Sequence, residues 1–164
     1  PAEAAPPLDH ESVIKHMLLP LDGSALAEQV LEHAVALGAP MQAEYTLLQA
    51  IDPVILGYAP AAYAMGLDEL IIEQSRAAAQ AYLAGIAERL RAESLHVQTC
   101  ITIGPPAAAI LEYAHTHQVD LIALATHGRG GLARLLLGSV ADKVVRGASV
   151  PVLVYHPQAV AAPQ

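Results

Sequence analysis

The chain has 164 residues, is 54% hydrophobic and carries a net charge of −8 at pH 7. This length predicts one domain with a substantial core, and the acidic balance disfavours a polyanion such as nucleic acid as a partner. No apolar run reaches the ~18 residues that a membrane helix requires, and no basic region followed by an apolar stretch opens the sequence. We therefore expect neither a membrane partner nor a signal peptide.

Cys100 is the single cysteine, and the chain contains no Phe and no Trp. A disulfide within the chain is therefore impossible, and we expect a reducing, cytoplasmic setting. The core must be assembled from Leu, Ile, Val and Ala, which suits parallel strands covered by helices.

Apolar runs alternate with helical patterns between two polar ends. Residues 1–12 and 157–164 are predicted to be flexible tails, and residues 13–156 a single domain. This alternation predicts an α/β fold, in which a single doubly wound, five-stranded parallel sheet has helices on both faces. The predicted strands are residues 14–21, 43–50, 96–103, 121–125 and 150–155, and the predicted helices run from Ser24 to Gly38, over 68–93, from Gly104 to His117 and over 140–146.

Asp22 follows the first predicted strand, in the sequence Pro20-Leu21-Asp22-Gly23-Ser24. Ligands bind at the carboxyl ends of strands in open α/β sheets, so Asp22 is a candidate ligand residue. The alternative is that Asp-Gly-Ser makes only a turn and a helix start, with Ser24 as the N-cap.

An apolar linker, residues 53–67, joins the second strand to the longest helix and contains Tyr58 and Tyr63. An exposed apolar loop of this kind usually covers something. A lid or a subunit contact is one interpretation, and packing on its own domain is the simpler one.

A glycine-rich loop follows the fourth predicted strand, with three glycines within residues 128–131. Glycine allows the backbone to approach a ligand closely, and Ser139 with Asp142 predicts a capping box at the following helix. Free N–H groups and a helix dipole favour phosphate. Residues 129–146 also hold four of the eight Lys and Arg side chains against one acid. We interpret the loop as a site for a small anionic ligand, the alternative being a loop that only turns the chain.

Other motifs fit less well. The chain has no Gly-Lys-Ser/Thr of a Walker A loop, and Gly128-x-Gly130-x-x-Ala133 follows a late strand, with no acid after the next one. The dinucleotide fingerprint requires the first strand and such an acid. His115 and His117 do not share a helix face, so no metal site is predicted from them. Neither Ser24 nor Ser139 has His and Asp partners in a recognisable order.

The loop and its flanks resemble the nucleotide-binding universal stress proteins, which carry Gly-x-x-Gly, nine residues and Gly-Ser/Thr. Here Ala125-Thr126-His127-Gly128 is followed by residues 129–137 and by Gly138-Ser139. The match is complete except that Ala125 replaces the first glycine, and residues 149–154 also resemble the last strand of the family. The resemblance covers roughly residues 13–156 and implies the strand order 3-2-1-4-5.

The resemblance implies a site for ATP, or for ADP or AMP, with Mg²⁺ held largely by phosphates and waters. Asp22 would lie beside the ribose, and the main chain at Ala50 would meet the adenine. Backbone N–H groups after the fourth strand and at the next helix start would hold the phosphates. The implied nucleotide-binding residues are Pro20, Asp22, Ala50, Ala125, Thr126, His127, Gly128, Arg129, Gly138, Ser139 and Val140.

Three functions remain open at this stage. The first is an ATP-binding module for stress response or signalling, with slow hydrolysis at most because no residue is placed as a general base. The second is a non-nucleotide member of the same fold that works through dimerisation and partner binding, which the replacement by Ala125 motivates. The third is a true ATP-using enzyme, with turnover well above a few per minute.

The last predicted strand would form an edge of the sheet. It is apolar and uncharged from Val150 to Tyr155, and exposed edges of this kind tend to pair. The resembled family dimerises through this strand, so the resemblance implies a homodimer.

Overall fold

The computed structural model describes residues 14–52, 67–126 and 137–157, and strands alternate with helices within them. The elements are β1 (His16–Pro20), α1 (Ala25–Glu28), α2 (Val30–Gly38), a 3₁₀ turn (Ala39–Met41), β2 (Glu44–Ile51), α3 (Leu67–Ala92), β3 (His96–Ile103), α4 (Pro106–Thr116), β4 (Leu121–Ala125), α5 (Ser139–Gly147) and β5 (Val152–Tyr155).

The strands of the described residues form one sheet in the order β3-β2-β1-β4-β5, and all neighbouring strands are parallel. This confirms the predicted fold and strand order. β1 is central, with β2 on one side and β4 on the other. Because the chain leaves β1 towards β2 and leaves β4 towards β5, a crevice forms where the carboxyl ends of β1 and β4 diverge.

Two apolar layers cover the two faces of the sheet. On one face, Val30 of α2 and Leu83 of α3 belong to a buried cluster with Leu47 of β2. On the other face, Ile110 of α4 and Val144 of α5 are buried against β1 and β4. Each fully buried aliphatic side chain contributes about 1.5–3 kcal/mol, so these layers hold the strand ends of the crevice in place.

The helix predicted after Ser24 is two helices, which meet at Gln29. The helical spacing of Leu26, Val30, Ala34 and Leu37 predicts one inward face, but Leu37 is 40% exposed. Gly38 faces the sheet instead, where an added Cβ would meet Met17 Sδ and Tyr45 OH at 2.6 Å. The close approach of this glycine rotates the buried stripe of α2 away from Leu37.

The last strand is shorter than predicted and begins at Val152. Pro151 has no N–H to donate, although its carbonyl accepts a hydrogen bond from Ile122 N at 3.0 Å. The alternation of Cys100 within its strand predicts a small core residue, but Cys100 is only partly buried in the edge strand β3. No helix among the described residues has the length and apolar character of a membrane span, and the linker over residues 53–66 lies outside them.

Candidate functional site

Asp22 lies at the β1 side of the crevice, directly after the strand and Leu21. Its Oδ1 accepts a hydrogen bond from Ser24 N at 2.9 Å, while Gly23 has φ of 83°, a conformation that glycine adopts at little cost. Ser24 Oγ in turn accepts from Ala27 N at 3.1 Å, which confirms the predicted N-cap. The turn and cap therefore exist, and they hold the Asp22 carboxylate at the carboxyl edge of the sheet.

Pro20 and Ala50 lie near the carboxyl ends of the neighbouring strands β1 and β2. Pro20 is the last residue of β1, and Leu21 N donates to Leu48 O at 2.8 Å. Ala50 lies on β2 opposite Thr102 of β3 and is half-buried. The main chain at Ala50 is thus close in the sheet to the turn that carries Asp22.

Thr126 marks the β4 side of the crevice. Leu18 pairs with Ile122, and carrying this register forward by four residues brings Asp22 level with Thr126. Ala125 is the last residue of β4, and Thr126 is 5% exposed. The register therefore brings the two sequence motifs, which are about a hundred residues apart in the chain, to adjacent strand ends.

Gly138 closes the loop that starts at Thr126. Gly138 N donates to Thr126 O at 2.8 Å, and a Cβ at Gly138 would lie well inside the van der Waals contact distance of that carbonyl oxygen. The ends of the loop are therefore held together by backbone, and the close approach requires glycine.

The start of α5 differs from the sequence prediction. The N-cap is Gly138, no side chain caps the helix, and the exposed Ser139 is its first residue. Asp142 does not complete a capping box, because its carboxylate binds Arg146 Nε at 2.9 and 3.0 Å. The first-turn N–H groups of α5, including those of Ser139 and Val140, lack intrahelical acceptors, and the positive end of the helix dipole lies beside Thr126.

Tyr82 of α3 is a residue near this edge that the sequence pattern did not indicate. Burial raises the pKa of Tyr82, and the negative charges of Glu28 and, more weakly, Asp22 raise it further. The buried hydroxyl makes no hydrogen bond of standard geometry, although the Glu28 carboxylate is near. The phenol therefore stays protonated at neutral pH. Nothing in the sequence pattern of α3 distinguishes Tyr82 from its neighbours.

His127, Gly128 and Arg129 of the predicted site lie outside the described residues. Two grooves, of about 360 and 460 Å³, lie elsewhere, one along β3 and α4 and the other between α2 and α3. Neither groove includes Asp22 or Gly138. Both grooves are therefore separate from the crevice at the ends of β1 and β4.

Possible metal ligands do not converge within residues 14–52, 67–126 and 137–157, where no group of three or more His, Cys, Asp or Glu side chains could hold an ion. His117 is engaged otherwise, since its ring stacks on Tyr113 at 3.8 Å and its Nδ1 lies 2.8 Å from Thr116 Oγ1. The chemistry that the described site offers is backbone N–H donors opposite one carboxylate.

Comparison of the chain with known proteins identifies its family. The Universal stress protein family matches residues 14–156. The chain belongs to this family. The universal stress protein MJ0531 of Methanocaldococcus jannaschii is 33% identical over 144 residues, which cover 88% of this chain and 83% of that protein.

Solved structures of universal stress proteins share the fold. MJ0577 of Methanocaldococcus jannaschii superposes with a TM-score of 0.79 at 27% identity, covering 89% of this chain and 98% of that one. A universal stress protein solved in complex with cAMP gives a TM-score of 0.64 at 22% identity, covering 89% and 99% of the two chains. The second likeness concerns the fold alone.

Proposed function

We propose that this universal stress protein binds an adenine nucleotide, ATP foremost, between the ends of β1 and β4 and acts as a nucleotide-dependent module in stress response or signalling. The observation that carries the proposal is the closure of Gly138 N on Thr126 O. It places the uncapped start of α5 beside the crevice, across from Asp22. Uncapped helix starts bind phosphate through N–H groups and the dipole.

Each part of the nucleotide has a proposed partner. The Asp22 carboxylate accepts hydrogen bonds from the ribose hydroxyls, and the main chain at Ala50, next to Pro20, meets the adenine edge. Ala125 and Thr126 line the β4 side, and the Ser139 hydroxyl adds one bond to the phosphates. The proposed phosphate-binding residues are His127, Gly128, Arg129, Gly138, Ser139 and Val140.

Mg²⁺ enters this proposal with the nucleotide. It is usually held by phosphates, waters and few protein groups, which agrees with a site whose one described carboxylate lies at the ribose end. Because no described residue is placed as a general base for water, turnover should stay below a few per minute, far under the ~10 s⁻¹ of a typical enzyme.

The test is to denature freshly purified protein and identify released nucleotide by chromatography, then to titrate emptied protein with Mg·ATP by calorimetry. The proposal expects adenine nucleotide near one per chain, or saturable binding of added Mg·ATP. Protein that is purified empty and shows no heat at millimolar Mg·ATP would reject nucleotide binding.

The second candidate function is a dimerising module that binds no nucleotide. Ala125, at the position of the family's first glycine, favours it. Its dimer would form at the β5 edge, since β5 pairs with β4 on one side and no further strand follows it in the sheet of the described residues. Its residues are apolar and only half-buried, and an edge of this kind can accept a second strand. We propose a homodimer through β5 in both functions, in the cytoplasmic setting that the single cysteine favours.

A further inference from the structure

His156 directly follows β5 and was not assigned any role from the sequence. Its Nδ1 lies 3.0 Å from Thr126 Oγ1, within hydrogen-bond distance. The two side chains differ in environment, because His156 is exposed whereas Thr126 is 5% exposed. The exposed imidazole of His156 is therefore a hydrogen-bond partner of the buried Thr126 hydroxyl.

Thr126 joins three elements through this and two other hydrogen bonds. Its N–H donates to Tyr155 O at 2.8 Å, and its carbonyl accepts from Gly138 N at 2.8 Å. The end of β4, the end of β5 and the start of α5 meet at this residue. The orientation of Thr126 therefore sets where Gly138 and the first-turn N–H groups of α5 lie.

The backbone that carries His156 is itself held in place. The ring of the preceding Tyr155 stacks on His33 of α2, with centroids 4.3 Å apart and an interplanar angle of 29°. This contact fixes the end of β5 against α2. The backbone of His156 therefore follows a residue that is fixed by packing, and its imidazole contacts Thr126, where β4 ends.

We infer that His156 is a positioning residue of the phosphate end of the nucleotide site. The inference rests on the proposed nucleotide binding. His156 acts through the Thr126 hydroxyl, keeps the Thr126 carbonyl on Gly138 N, and so holds the start of α5 where the β- and γ-phosphates of ATP need their donors. It does not itself touch the ligand.

The experiment compares His156→Ala with His156→Asn. The asparagine amide places a donor and an acceptor two bonds from Cβ, as Nδ1 is, and so restores the bond to Thr126 in either proton arrangement. His96→Ala is the matched control, because His96 is an exposed histidine at the opposite end of the sheet. Calorimetry measures the affinity of each protein for Mg·ATP and for adenosine.

Removing the bond in His156→Ala should weaken Mg·ATP by about tenfold, the usual effect of one lost hydrogen bond. Adenosine should change less than about twofold, because it carries no phosphate. His156→Asn should regain most of the affinity, and His96→Ala should match the wild type. Unchanged Mg·ATP affinity in His156→Ala would overturn the inference, as would equal losses in the alanine and asparagine variants.

Hydrogen exchange of the Gly138 amide separates this inference from the proposed function. In His156→Ala the Gly138 N–H should lose protection, and in His156→Asn it should keep it. If the wild type binds no Mg·ATP, the proposed function fails and the role at the phosphates fails with it. The exchange result then still decides whether His156 positions the Thr126–Gly138 contact, and unchanged protection in His156→Ala refutes that.

Discussion

At Gly138 the backbone comes so close to the Thr126 carbonyl that there is no space for a side chain. In the sequence, Gly138 is the last glycine of the motif that resembles the nucleotide-binding universal stress proteins. The structure adds a second reason, since this glycine also closes the loop on itself. Gly138 serves both the motif and the closure of the loop, because its N–H donates to Thr126 O and the residue lies directly before the uncapped first turn of α5.

Gly138→Ala should therefore weaken the binding of the proposed nucleotide. The added methyl forces the Thr126–Gly138 contact apart, so we expect Mg·ATP affinity to fall at least about tenfold, and overpacking should cost about 1–3 kcal/mol of unfolding free energy. Calorimetry and urea denaturation measure the two effects.

Gly85→Ala is the matched control for this substitution. An added Cβ at Gly85 meets nothing within 4 Å, and the residue lies inside α3. Alanine there should raise stability by about 0.5–1 kcal/mol and leave affinity unchanged. Equal Mg·ATP affinity in Gly138→Ala and Gly85→Ala would contradict the role given to Gly138.

At the scale of elements, two serines that look alike in sequence differ in what they do. Both precede amphipathic helices and were predicted as caps. Ser24 is the N-cap of α1, whereas Ser139 is the first residue of α5, with Gly138 as its N-cap. A helix start is set by the backbone angles on each side, and the bond from Gly138 N to Thr126 O sets those angles from outside the helix.

Ser24→Ala should reduce the free energy of unfolding by about 1 kcal/mol, because the Ala27 N–H loses its acceptor. Ser139→Ala should change stability by less than about 0.5 kcal/mol, since an exposed side chain without a cap bond is removed. Urea denaturation of both variants measures the difference. A loss in Ser139→Ala as large as in Ser24→Ala would show that Ser139 does cap α5.

Three predicted strands agree closely with the structure. β3 and β4 have the predicted bounds, and β2 is shifted by one residue, because turn and polar residues near both ends of a strand mark its bounds in the sequence. Leu37 was assigned wrongly because helical spacing indicates a face without saying where it ends. The contact of Gly38 with Met17 and Tyr45 sets the edge of the buried face. These two residues belong to β1 and β2, so the pattern within α2 could not indicate them.

At the scale of the whole molecule, β5 pairs with β4 alone among the described strands, and its other side is open within this part of the chain. The carbonyls of Pro151 and Tyr155 accept hydrogen bonds from Ile122 N and Thr126 N, so these residues point towards β4. By the alternation of backbone groups along a strand, Val152 and Val154 point their N–H groups to the open edge. These are the groups that a second copy would pair with.

Val154→Pro removes one outward N–H group and leaves the hydrogen bonds to β4 in place, as proline is tolerated on the open side of an edge strand. Sedimentation at micromolar concentration should show a dimer for the wild type and a monomer for this variant. A wild-type monomer would count against the dimer, and a dimeric variant would place the interface on another surface.

Alkaline pH should destabilise the fold through a partly buried thiol and a buried phenol that are neutral in the folded state. Burial raises the pKa of Cys100 above its ordinary value of 9.0 and that of Tyr45 above its ordinary value of 10.0. The folded chain then binds more protons than the unfolded chain, so stability is full below pH 9 and falls as pH rises through the folded values. Urea denaturation from pH 8 to about 11 should show this fall.

Cys100→Ala identifies the thiol contribution. The variant should lose the part of the fall that begins near pH 9 and keep the part that begins near pH 10, where the tyrosines titrate. An identical pH dependence in the wild type and in Cys100→Ala would show that the thiol ionises as readily in the folded chain as in the unfolded one.

The order of elements, the family and the two motifs of the crevice could be read from local patterns. Apolar runs, glycines and their spacing are properties of short stretches, and each element prefers its own form before the chain folds. The partners of Thr126 could not be read in this way. His156 and Gly138 meet Thr126 because parallel pairing brings strand ends together that are separated in the sequence, and the backbone bond between Thr126 and Gly138 exists only once α5 has packed on the sheet.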